Sequence, residues 1–89
     1  MNTADDAVDR IRILECPTGD LENRIAGIFE DYGVANKDKV RVVRDSSLDR
    51  EGAQAYLVKL ADARQSFVIL ADSGYDDYVA KVVDIYTQS

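Results

Sequence analysis

With 89 residues, 46% of them hydrophobic and 31% charged, the chain has material for one domain around one core, and a single domain is expected. Seventeen acidic against eleven basic residues give a net charge of −6, a field that repels nucleic acid and anionic membranes and makes a basic protein surface the natural partner. The absence of histidine and the single cysteine, Cys16, exclude an internal disulfide, a zinc scaffold and any histidine-dependent catalytic dyad, so neither metal nor cofactor is expected.

The segment Met1 to Arg10 carries Asp5, Asp6 and Asp9 and no apolar run, the opposite of a targeting signal; residues 1–8 are expected to be a flexible tail and the protein cytoplasmic. From Arg10 to Glu15, Ile11 and Ile13 alternate with Arg10 and Arg12, which predicts a half-buried strand. After Cys-Pro-Thr-Gly-Asp, the spacing of Leu21, Ile25, Ile28, Phe29 and Tyr32 predicts a helix. Gly33 followed by Val34 suits a left-handed stop, with Val34 packing back near Phe29. Gly27 costs that helix about 1 kcal/mol relative to alanine, so it is expected to mark a close approach to a strand.

A second strand is predicted from Lys39 to Asp45, where Val40 and Val42 alternate with Arg41 and Val43. Ser46 to Gly52 reads as a polar connection. Ala53 to Ala63 fits a helical stripe through Ala53, Tyr56, Leu57, Leu60 and Ala61, and equally a strand through Tyr56, Val58 and Leu60. Gln65 to Ala71, with Phe67, Val68, Ile69 and Leu70, is a strand by its aromatic and branched content. Ser73, with Asp76 three residues on, suits the cap of a last helix buried through Tyr75, Tyr78, Val79, Val82 and Tyr86.

These elements predict an α+β fold of order β-α-β-β-β-α, its sheet mainly antiparallel and both helices on one face. The alternative is a three-stranded parallel β-α-β-α-β-α arrangement. Strands that carry Arg10, Arg12 and Arg41 opposite their Ile and Val favour the first, because parallel strands covered on both sides read as continuous apolar runs. From Asp20 onward the order resembles a double-stranded RNA-binding domain. Such domains carry a basic patch where this chain has Asp72, Ser73, Gly74, Tyr75, Asp76 and Asp77, so the charge there has the opposite sign.

Three sets of residues are candidates for function. Cys16 ends a strand and opens a helix, where amides and dipole lower a thiol's pKa. The strand, Cys-Pro, helix order resembles small sulfur carriers of the Cys-Pro-x-Pro type, although Gly19 stands in the fourth position; the resemblance implies a thiol-dependent carrier or redox protein. Glu22, Glu30, Asp31, Asp76, Asp77 and Asp84 fall on the polar sides of the predicted helices and form an acidic docking face. Arg10, Arg12, Arg41, Val43, Leu57 and Lys59 share the sheet's outer face, with one apolar pair from the last strand, and this face is expected to be covered by another chain, either a partner or a second copy. The expected function is a non-catalytic module whose acidic face docks a basic protein surface, as small inhibitors, immunity proteins and phage anti-defence proteins do. Use of the Arg-lined face to bind nucleic acid or an acidic partner is a further alternative, nucleic acid being disfavoured by the net charge.

Overall fold

In the computed structural model, which describes residues 3–61, 66–72 and 78–88, the chain opens with a helix, α1 (Thr3–Arg12). Ala7 and Ile11 are fully buried and Val8 packs beside them, the i, i+1, i+4 stripe of an amphipathic helix. Asp5 and Asp6 lie in its first turn and Arg10 and Arg12 in its last, each sign at the end of the helix dipole that favours it. Two expectations are corrected here. Residues 3–8 are helix rather than tail, and Arg10 to Glu15 is not a strand: Ile11 is in the core, whereas Ile13 is 75% exposed in the turn that follows. Leu14 is then buried, and β1 is only Glu15–Pro17.

Helix α2 (Leu21–Asp31) buries Leu21, Ile25, Ala26, Ile28 and Phe29, as their spacing predicts. It ends in a Schellman motif: Gly33 takes φ 72°, and Val34 N–H donates to the Phe29 carbonyl at 2.9 Å. Gly27 departs from expectation. A Cβ built there meets nothing within 4 Å, so no strand approaches it closely, and the residue opens onto a groove between the two helices.

Four longer strands follow: β2 (Val40–Arg44), β3 (Gln54–Leu60), β4 (Ser66–Asp72) and β5 (Val79–Gln88). The sheet order is β1-β5-β4-β3-β2 and every neighbouring pair is antiparallel. The element order is therefore α-β-α-β-β-β-β rather than β-α-β-β-β-α, and the parallel alternative is overturned. The ambiguous stretch is extended from Gln54 to Leu60, as β3; its residues 62 and 63 lie outside the described residues. The predicted last helix is also a strand, with Tyr78 in the turn before it; Ser73, Tyr75, Asp76 and Asp77 lie outside the described residues. A register shift between Leu70 and Ala71 leaves Val83 as an extra, exposed residue in β5. Val82 and Ile85 are consequently both buried although three residues apart, a spacing that imitates a helix.

The buried side chains of α1 and α2 form one cluster with Val40, Val58, Leu60, Phe67, Ile69, Ala71, Ala80, Val82 and Ile85. Phe29 and Phe67 pack at its centre with ring centroids 5.6 Å apart. Each such large side chain contributes about 1.5–3 kcal/mol of transfer free energy. The opposite parity of β3 and β4 makes a second cluster, Ala55, Val68 and Leu70, with Leu48, Ala53, Leu57 and Tyr86 packed against it.

Candidate functional site

The second cluster lies on the face of the sheet opposite the main cluster, where Val68 and Leu70 are nonetheless 0% and 2% exposed. Their cover comes from this chain. Segment 45–53, which contains the expected polar connection Ser46 to Gly52, folds back over the sheet and sets Leu48 and Ala53 against Ala55, Val68 and Leu70. Its geometry is tightly specified. Asp45 accepts hydrogen bonds from Ser47 N–H at 3.1 Å and from the Ser47 hydroxyl at 2.5 Å, starting the 3-10 turn Ser46–Leu48. Asp49 accepts from both terminal nitrogens of Arg44 and from Ala55 N–H. At the far end Arg50 stacks over Tyr86, 5.3 Å from the ring centroid, and stands 3.7 Å from Asp84.

Asp84 is thereby removed from the predicted acidic set. It stands on β5, not on a helix, between Arg12 of α1 and Arg50 of the covering segment, each at 3.7 Å. Asp76 and Asp77 lie outside the described residues. Glu22, Glu30 and Asp31 are exposed on α2, but Glu30 accepts the Lys37 N–H at 2.9 Å and Asp31 borders the groove between the helices beside Arg10 and Arg24. α1 adds Asp5 and Asp9, both exposed; of these only Asp5 falls in the expected tail, residues 1–8.

Of the residues assigned to the sheet's outer face, Arg10 and Arg12 belong to α1, for the reason given above. The other four come together. The β2 to β3 register sets Arg41 opposite Lys59 and Val43 opposite Leu57. All four share the parity of Ala55 and Val68, but segment 45–53 does not bury them: Val43 is 50% exposed, Arg41 and Lys59 are exposed and Leu57 half-buried. Among the described residues neither Arg41 nor Lys59 has an ion pair. Beside them is a hollow of about 460 Å³ that Asp38, Lys39 and Ser66 also line. Like charges directly opposite on antiparallel strands repel and destabilise the sheet. Arg12, Arg44 and Arg50, by contrast, each meet a carboxylate.

Cys16 is buried, 5% exposed, with its neighbours in the helix-side cluster. Burial pushes its thiol pKa up; Arg24 pulls the other way and Asp20 adds to the rise. That is the reverse of an activated thiolate. Among the described residues no three Cys, Asp or Glu side chains stand together as a metal site, and no helix is long and apolar enough to cross a membrane. No protein-family model matches this chain, and no curated protein or solved structure does either.

Proposed function

We propose that this chain is a non-catalytic protein-binding module that docks an acidic and apolar segment of another protein on the strip formed by Arg41, Lys59, Val43 and Leu57. The observation that carries this reading is the Arg41 and Lys59 pair, opposed across two strands with no ion pair among the described residues. Such a pair costs stability in the isolated protein, and an acidic ligand relieves that cost. In a chain with six excess negative charges, partners for two cations are plentiful, yet among the described residues neither cation is ion-paired, although Asp38 borders the same hollow. Val43 and Leu57, next along the same face, supply apolar area beside the charge, the composition of an interface rather than of a solvated edge. A polyanionic nucleic acid fits less well. The strip has no aromatic side chain on which a base could stack, and the net field opposes approach.

A second reading keeps the acidic face, now as Asp5 and Asp9 of α1 with Glu22 and Asp31 of α2, all exposed, docking a basic partner. One experiment separates the two. The protein is purified from its native host with its partner, and recovery is compared for wild type, Arg41→Glu/Lys59→Glu and Glu22→Lys/Asp31→Lys. Loss of the partner in the first variant alone is the expected result. Loss in the second alone transfers the function to the helices, and retention in both removes both readings.

A further inference from the structure

We infer that the partner binds by strand addition: an extended segment pairs with the free edge of β2 as a sixth strand, presenting an acidic residue to Arg41 and a β-branched apolar residue to Val43. This rests on the docking strip proposed above and names the form and sequence of what occupies it.

The sheet order leaves β2 with a neighbour on one side only, and no described residue pairs with its other edge. An edge strand offers a row of unsatisfied N–H and C=O groups, and proteins ordinarily blunt such an edge. The other sheet margin is blunted: β1 pairs with Val79 to Lys81, Val82 N–H donates to the Leu14 carbonyl at 2.9 Å, and the Arg12 to Asp84 contact stands beside the rest of β5. Among the described residues β2 has no comparable shield. Its Arg44 side chain turns inward to Asp49 and the Ala55 carbonyl, so it does not guard the edge.

The side-chain period of two then sets the ligand's pattern. Arg41 and Val43 point to the outer face and Val42 to the helix side, where it packs on the main core. A strand laid against β2 places residues i and i+2 beside Arg41 and Val43, and its intervening residue beside Val42. The complementary segment therefore carries Asp or Glu two residues from Val or Ile, in either chain direction, with backbone hydrogen bonds supplying affinity and the alternate side chains supplying selectivity. An adjacent acid and valine would face opposite sides of the sheet, so only one of them could meet the strip.

The test uses the full chain and blocked heptapeptides of threonine bearing Glu-Thr-Val at the centre, the same residues with Glu and Val adjacent, and the first peptide N-methylated at the central threonine and at the valine. Affinity is read from amide NMR titration, with hydrogen exchange of β2 as the second readout. The Glu-Thr-Val peptide is expected to bind at least tenfold tighter than the other two and to slow exchange within Arg41 to Val43. If the N-methylated peptide binds as tightly as its parent, strand addition is wrong while docking on the strip stands. If no peptide binds, the inferred ligand is wrong, and the native-host comparison still decides the strip on its own. If the chain without peptide sediments as a dimer with its β2 amides already protected, the occupant is a second copy and the inference is overturned.

Discussion

Arg44 and Asp49 meet through two parallel hydrogen bonds of 2.6 and 2.7 Å, and this pairing anchors the segment that covers the outer face of the sheet. The same carboxylate accepts Ala55 N–H at 2.7 Å, joining the segment to β3. Arg44 first, and then the Ala55 amide, hold the Asp49 carboxyl below the usual carboxylate range. A depressed folded-state pKa contributes stability that is present above the unfolded value of about 3.9 and is lost as pH falls through the folded value. Asp49→Asn is therefore expected to lower Tm at pH 7, with the gap to wild type closing as pH drops below about 4. Thermal unfolding followed by circular dichroism from pH 7 to pH 2 checks this; a gap independent of pH would mean that the pair's charge is not what holds the segment.

Leu48 is the apolar member of that segment's 3-10 turn, and it packs on Ala55, Val68 and Leu70. Because it is half-buried, Leu48→Ala should cost about 1–2 kcal/mol, below the 2–5 typical of a fully buried leucine. The more telling readout is dye binding. Uncovering Val68 and Leu70 while the helix-side core stays folded should raise the fluorescence of a hydrophobic probe before global unfolding begins. Unchanged dye binding at native-like ellipticity would show that the cover is not needed to shield them.

How much of this was legible in the sequence depended on how long each pattern ran. α2 was readable because its apolar positions repeat over three turns and Gly33 stops them. α1 was not, since Ile11 and Ile13 imitate a strand and only the weaker stripe of Ala7, Val8 and Ile11 argues for a helix. In β5 the extra residue Val83 resets the alternation, and the resulting spacing of Val82 and Ile85 reads as helical. Arg41, Val43, Leu57 and Lys59 were each recognisable as outward-facing from local alternation. Their pairing was not, because register is a property of two strands. Segment 45–53 carried its signal in the open: four charged residues around a lone Leu48, with Asp45 and Ser47 spaced as a turn.

Cys16 supplies a test on the other side of the sheet. Its burial and raised pKa keep the thiol protonated and covered at neutral pH, where an ordinary thiol of pKa about 8.5 is already a few per cent thiolate. Alkylation by iodoacetamide at pH 8 should run at least tenfold slower than for the same protein in denaturant, and should speed up in step with unfolding. A fast native reaction would return the thiol-dependent reading to consideration.

Gly27 sits inside α2 with open space where a Cβ would lie, so nothing in the packing requires glycine. Gly27→Ala should stabilise the protein by about 0.5–1 kcal/mol through backbone entropy and helix propensity. Chemical denaturation at constant m-value measures it. A loss of stability would mean that the groove lined by Arg10, Arg24 and Asp31 closes in solution more than its geometry indicates.

Lys59→Glu brings the stability and docking arguments into opposition. It turns the like-charged pair with Arg41 into an opposite-charged one, and such cross-strand pairs contribute roughly 0.2–1 kcal/mol where like charges subtract a similar amount. The variant should therefore unfold at higher denaturant than wild type, with the gain shrinking in high salt as screening removes the electrostatic part. Binding of an acidic partner should fall, because the same change introduces repulsion beside Arg41. A surface kept only for folding would give greater stability and unchanged partner recovery. Greater stability with lost recovery is the result expected of a site in which repulsion is held in place for a ligand, and a variant less stable than wild type would remove the premise that Arg41 and Lys59 repel.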